Sequence, residues 1–494
     1  MTATPHDSGE EKHPDNHAQG QVYKNPMERN ILLFVLMVGA FVIILNQTLL
    51  NTALPAFMEF FDVTAAEAQW VTTLFMLVNG IMIPVTAYLI QRFTTRQMFM
   101  AAMGFFALGT LVAALAPQYW VLLLARVLQA AGGGMIMPLM QTILFAIFPR
   151  HQRGTAMGFF GLIIGFAPAI GPSLSGWIVD RFPWQTLFWM MLPFALISMA
   201  IAFFMLKNVG ENTDPSLDMF SIVLSTFGFG GLLFGFSMAG TAGWGSAQVI
   251  VSLIVGAIAL VWFIRRQLRL EDPMLELRVL RFPMYTLNTV LGMVVFISMV
   301  GGMLILPVYM QTMAGFSAVA SGLALLPGAV VMGLMSPVTG RLFDKYGGKW
   351  LAVVGFSLVT LTGVAFTQLT PDTTYAYLAT VNALRMLGTS MVMMPVTTAA
   401  LNQLPPRLIP HGTAVNNTLR QVAGSVGTAV LVTVMSMATR DPAVHGMQGL
   451  VHGANISFLV ATIISAIGLV GAFFLRNSHG EETEGRGPTV VDAK

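Results

Sequence analysis

Three arginines, Arg126, Arg385 and Arg420, stand inside long apolar runs. A guanidinium stays charged at physiological pH and carries five donors in a rigid fork. Surrounded by hydrocarbon, it costs about 3 kcal/mol or more unless it is paired or hydrated. Such an arginine faces a water-filled cavity or is bonded to backbone carbonyls at a helix break, and for Arg126 both arrangements stay open. The polar residues singled out beside them are neutral: Asn46, Gln47 and Asn51 in the first apolar run, Gln129 and Gln421 in the runs of Arg126 and Arg420. This set can recognise a solute by hydrogen bonds and positive charge. A proton carrier is harder to find, because none of the 22 Asp and Glu residues falls in the middle of an apolar run. Desolvation would raise a buried carboxylate's pKa towards neutrality and suit it to that work. Asp180, at the end of one run, is the least solvated candidate and equally a surface partner for Arg181. His151 and His411 read as loop residues first and proton carriers second.

Other chemistries lack their residues. There is no G-x-S-x-G, no H-E-x-x-H and no acidic metal-ligand grouping, so a membrane-embedded enzyme has no catalytic cluster. No G-x-x-x-x-G-K-[ST] occurs, so this chain's own ATP hydrolysis drives nothing. Zero cysteines exclude disulfides and thiolate metal sites. No basic patch with interleaved aromatics suggests nucleic acid. The expectation is a chain without metal or cofactor.

The elements that position these residues are membrane spans. Of 494 residues, 55% are hydrophobic and 10% charged, against roughly 25% charged in soluble domains. Mean hydropathy is +0.73. A run of ~20 apolar residues crosses a bilayer as a helix, and the chain holds fourteen. Residues 1–29 and 476–494 read as polar tails, the first disordered, and no cleavable signal peptide opens the chain. With both tails cytoplasmic, inside segments hold 20 Lys and Arg, outside loops hold Arg181 and Arg440, and three lie in spans. That asymmetry is what the positive-inside rule expects.

The runs repeat. Pro84-Val85-Thr86 returns as Pro337-Val338-Thr339, 253 residues later. Arg126 leads to Met137-Pro138 as Arg385 leads to Met394-Pro395, and Arg153-Gly154-Thr155-Ala156 returns as His411-Gly412-Thr413-Ala414. The predicted organisation is a first bundle over 30–206, two accessory helices and a central loop over 207–283, and a second bundle over 284–475. Parallel repeats of this kind place a solute site at their interface near the bilayer midplane.

Four motifs carry a family resemblance. Gly340-Arg341-Leu342-Phe343-Asp344-Lys345-Tyr346-Gly347-Gly348-Lys349 could turn tightly and latch two helix ends through a carboxylate and several cations, or be an ordinary basic loop. It resembles the G-x-L-x-D-x-x-G-x-[KR] loop of the major facilitator superfamily. In the first half, Gln91 replaces the carboxylate and both glycines are gone. Arg126-Val127-Leu128-Gln129, with Gly132-Gly133-Gly134 behind it, is similar to R-x-x-Q-G-x-G. The glycine triplet fits close helix packing and not a phosphate loop. Gly165, Pro168, Gly171, Pro172 and Gly176 resemble the antiporter signature of drug exporters, with Ser175 in place of one glycine. Read from the residues, they kink a helix for packing or for gating. Asn46-Gln47-Thr48-Leu49-Leu50-Asn51 and Gln69-Trp70 look like the span-one pattern of the fourteen-helix drug:proton antiporters (EmrB/QacA-like), with Asn46 where that pattern has a carboxylate.

The resemblance implies an all-α membrane protein with two six-helix repeats and two accessory helices, fourteen spans in all. It implies export of small drug-like amphiphiles by proton antiport from the cell membrane, by a monomer, with a need for an adaptor protein left open. Uptake, a metabolite or lipid-like solute, and a non-transporting sensor are the alternatives. The implied substrate and proton pathway comprises Asn46, Gln47, Asn51, Arg126, Gln129, Asp180, Arg385 and Arg420. The implied latch comprises Gly340, Arg341, Asp344, Lys345, Gly347 and Lys349.

Overall fold

The computed structural model describes residues 26–209 and 218–476. Most of both tails and residues 210–217 of the central segment lie outside the described residues. Among the described residues, fourteen helices are long and apolar enough to cross a membrane. In the first half they are α1 (Pro26–Phe61), α2 (Trp70–Arg92), α3 (Thr95–Ala114), α4 (Tyr119–Ile147), α5 (Arg153–Val179) and α6 (Thr186–Met205). Next come α7 (Met219–Ala242) and α8 (Ala247–Gln267). The second half holds α9 (Pro283–Thr312), α10 (Ala318–Tyr346), α11 (Lys349–Phe366), α12 (Tyr375–Asn402), α13 (Ile409–Ala438) and α14 (Met447–Phe473).

Helix is the backbone's only open-ended answer to lipid, because each N–H and C=O must be satisfied within the segment. Short polar turns end the helices, and side chains take up their first free N–H groups. Thr94 and Gln97 form a capping box at α3, and Asp218, Ser246, Ser317 and Thr374 cap α7, α8, α10 and α12. The first helix departs from expectation. It starts at Pro26, inside the segment read as a tail, with Glu28 in its first turn. Proline is preorganised for that first position, and an acid there opposes the positive helix end.

The repeat appears as a repeated set of neighbours. In the first half α3 packs on α4 and α6, α4 on α2, and α1 on α5 and α6. In the second half α11 packs on α12 and α14, α12 on α10, and α9 on α13 and α14. Two seams join the halves, α5 against α10 and, in the matching place, α13 against α2. They are not equal. Gly154, Gly158, Gly161 and Gly165 follow one face of α5, and a Cβ on Gly158 or Gly165 would meet α10 backbone at 2.5 or 2.7 Å. Their counterparts in α13 are Gly412, Asn416, Leu419 and Ala423, three of which carry side chains. Along that second seam α7 lies across both α2 and α13, with α8 behind it.

Candidate substrate cavity and the contacts that close it

A cavity of about 280 Å³ lies between the halves, walled by α1, α2, α4 and α5 on one side and α9, α10, α12 and α13 on the other. Its apolar surface includes Met76, Met137, Met299, Met332, Met386 and Met393, flexible side chains that adapt to irregular shapes. Its neutral polar groups are Gln47, Asn79, Gln141, Asn382, Asn417 and Gln421, with Ser173. Arg420 is the one ionised residue in the lining, and no Asp or Glu accompanies it.

The other two arginines stand behind the wall. Arg126 is fully buried, donating from Nε to Val71 O at 3.0 Å and from a terminal nitrogen to Gln129 Oε1 at 2.7 Å and Asn46 Oδ1 at 3.2 Å. Its guanidinium also lies 4.2 Å from the Phe75 ring centre. Gln129 in turn donates to Thr110 Oγ1 at 2.9 Å. Of the two arrangements open for Arg126, this is the internally bonded one, and Asn46 and Gln129 serve it instead of facing the cavity. Arg385 repeats the pattern. It donates to the carbonyl and, at 3.0 Å, to Oγ of Ser298, whose hydroxyl also receives Ser465. A Cβ on Gly302 would stand 3.0 Å from its guanidinium, so glycine leaves the room that arginine fills. Arg420 differs. It lines the cavity and is 6% exposed; like one nitrogen of Arg126 and two of Arg385, its Nε has no partner, and the Phe296 ring centre lies 5.1 Å away.

Of the remaining pathway candidates, Gln47 lines the cavity. The side chain of Asn51 lies outside the described residues. Asp180 directly follows α5 and is exposed, and the Arg181 guanidinium lies over Trp177 at 5.3 Å. Among the described residues no Asp or Glu is buried, which corrects the expectation of a poorly solvated acid at Asp180.

At the opposite end of α5 the halves are bonded together. Asp344, from the end of α10, accepts from Gly154 N at 2.8 Å, Thr155 N at 2.8 Å and Thr155 Oγ1 at 2.6 Å. It thus supplies α5's cap from the other half, where N–H groups and helix dipole favour a negative charge. Arg153 returns the contact to Asn402 Oδ1 at 3.0 Å. In the matching place Gln91 meets His411, their Nε2 atoms 2.9 Å apart, and His411 Nδ1 receives the Glu276 N–H at 3.1 Å. Further in, Asn417 donates to Gln141 at 3.0 Å. Gly340 is there for proximity, since a Cβ would collide with the Gly154 carbonyl. Gly347 makes the turn, at φ +81°. Lys345 lies 5.0 Å from its neighbour's Tyr346 ring centre, and exposed Arg341 stands clear of the seam.

The antiporter-signature residues divide likewise. Pro168 and Pro172 lie inside a continuous α5 and line the cavity with Gly165. Gly171 admits Thr48 of α1, while a Cβ on Gly176 would meet nothing within 4 Å. The glycine triplet packs α4 tightly, Gly134 against Asn79 of α2 and Gly132 against Ala102 of α3. Sequence reasoning missed Asn79, Gln141 and Asn382. Each is polar within an apolar span, the same signal that singled out Arg126.

The family model of the Major Facilitator Superfamily matches residues 36–219 and 216–428. An uncharacterized MFS-type transporter of Bacillus subtilis, YcnB, is 52% identical over 92% of this chain and 97% of its own length. The lincomycin resistance protein LmrB of the same organism is 45% identical over 90% of this chain and 95% of its own. Among solved structures, the human organic anion transporter MFSD10 superposes with a TM-score of 0.68 at 15% identity, covering 91% of this chain and 100% of that one, a likeness of fold. The chain therefore belongs to the major facilitator superfamily, as a fourteen-helix membrane carrier and not an enzyme.

Proposed function

We propose that this chain exports small amphiphilic, drug-like molecules from the cell by proton antiport, with both tails cytoplasmic. The observation that carries the reading is the cavity between the repeats, closed towards one end by the Asp344, Arg153 and Gln91 contacts and lined by adaptable apolar side chains. Breaking those contacts while the outer ends approach would expose the cavity to the cytoplasm, which is alternating access in its simplest form. The 45% identical relative is named for lincomycin resistance, which supports a drug as solute. The span-five signature favours export over uptake.

Proton coupling has the start of α5 as its natural place, where Asp344 caps the helix. Protonating Asp344 would weaken the charge–dipole cap that joins the halves. An efflux panel of antibiotics and dyes, lincomycin among them, tests the reading in cells with and without a protonophore. Accumulation of at least one compound should fall on expression and recover with the protonophore. Unchanged accumulation across the panel would sink export, and efflux indifferent to the protonophore would sink proton coupling alone.

A further inference from the structure

We infer that Arg420 is the anchor for a single anionic group, and that the cavity's preferred solutes are monoanionic amphiphiles such as aromatic carboxylates. The inference rests on the transport reading and names its substrate class. Three arginines are buried in the spans, yet only Arg420 reaches the cavity. Arg126 and Arg385 are bonded behind the wall to Val71, Asn46, Gln129 and Ser298, and the donors they leave unbonded are buried away from the cavity. Arg420 alone combines an Nε without a partner with a place in the cavity wall, and no acid stands anywhere in the lining. A guanidinium held this way is matched by a planar carboxylate, which two parallel N–H groups can grip.

The surroundings give the solute its shape. By the repeat register, Arg420 and Asn417 of α13 stand where α5 has Leu162 and Phe159. The cavity is thus polar along α13, with Asn417, Arg420 and Gln421, and apolar towards Phe160 and Ile164 of α5 and Met332 and Met393. A solute with one charged head and a compact apolar body fits both walls. A cation would meet Arg420 with nothing to offset the repulsion.

Three probes with one aromatic body test this on the purified full-length protein: 1-naphthylacetate, 1-naphthylacetamide and 2-(1-naphthyl)ethylamine. The carboxylate should bind about tenfold more tightly than the amide, the margin of a charge-assisted over a neutral hydrogen bond, with the amine weakest. Arg420→Gln should bring the carboxylate-to-amide ratio to about one, and Arg420→Lys should keep part of it. A wild-type ratio near one, tightest binding of the amine, no carboxylate binding, or a ratio that survives Arg420→Gln would each overturn the inference. Should Arg420→Gln fail to give a monodisperse protein, the wild-type ratios and Arg420→Lys still decide. The efflux panel is read separately. Drugs moved with no carboxylate preference defeat only this inference, whereas no solute moved at all defeats the transport reading beneath it.

Discussion

Asp344 shows how much one side chain can be asked to do. Its carboxylate takes three hydrogen bonds from the first turn of a helix in the other half, and bonds to a charged group are worth about 1.5–3 kcal/mol each. Asp344→Asn removes the charge and turns one acceptor oxygen into a donor aimed at other donors. We expect transport to fall about tenfold or more while the protein still reaches the membrane, read as efflux normalised to membrane abundance. Wild-type efflux would return this segment to an ordinary basic loop. Gln91→Asp should act in the opposite sense. A carboxylate there would face His411 and the start of α13, not Arg92 and Arg96 as the neighbouring sequence suggests, because Arg96 donates to Leu206 O. The extra lock should hold the inner end closed and slow efflux, and unaltered rates would show that the second latch carries no force. The sequence made Asp344 legible through its spacing from glycines and cations. It could not disclose the Thr155 partner, 189 residues away, because that pairing depends on how two helices pack. For the same reason Arg126 could be flagged as costly, yet its choice of Val71, Asn46 and Gln129 over water was settled by helix packing.

At the scale of elements, the α5–α10 seam is a backbone-to-backbone contact made possible by missing side chains. Gly340→Ala would push a methyl group into the Gly154 carbonyl, and overpacking of this sort costs about 1–3 kcal/mol. Thermal unfolding in detergent should register it. Gly176→Ala, on α5 with open space around it, is the control and should leave stability unchanged or slightly raised. Equal losses in both would mean that the close approach at Gly340 is not what the seam depends on. The accessory hairpin is held at one end by Asp218, which caps α7, accepts from Ser221 and pairs with Arg266 of α8 at 2.8 Å. Burial alone would raise its pKa, but the Arg266 and Ser221 hydrogen bonds outweigh it and hold Asp218 at about 2. A depressed carboxylate stabilises the fold above its unfolded value near 4 and loses that contribution as pH falls towards 2. Asp218→Ala should cost about 1 kcal/mol at neutral pH, as a lost cap does, and the difference from wild type should shrink on acidification through that window. A difference constant from pH 6 to pH 2 would remove the ionised cap from the account.

For the whole molecule, the repeat was the most legible feature, since matched Arg, Pro and Gly positions foretold two bundles whose helices choose the same neighbours. The seams' inequality was half-written in the exchange of α5's glycines for Asn416, Leu419 and Ala423, but α7's position across α2 and α13 had no signal in local pattern. Orientation rests on the Lys and Arg asymmetry. Cysteines introduced at Ser8 or Ser478 should stay unreactive to an impermeant thiol reagent in intact cells, and labelling of either would invert the topology. The chain has no cysteine of its own, so a second pair can trap the molecule itself. Gln141 of α4 and Asn417 of α13 touch across the halves at 3.0 Å, on the side where Asp344 and Gln91 also join them. If the halves rock apart there to admit a solute, a short bifunctional thiol reagent joining Gln141→Cys to Asn417→Cys must stop turnover, and a cleavable version must restore it on reduction. Single variants treated alike control for the loss of the hydrogen bond. Undiminished efflux with the cross-link in place would mean that the solute reaches the cavity without opening this end. The gate described here would then be a fixed strut.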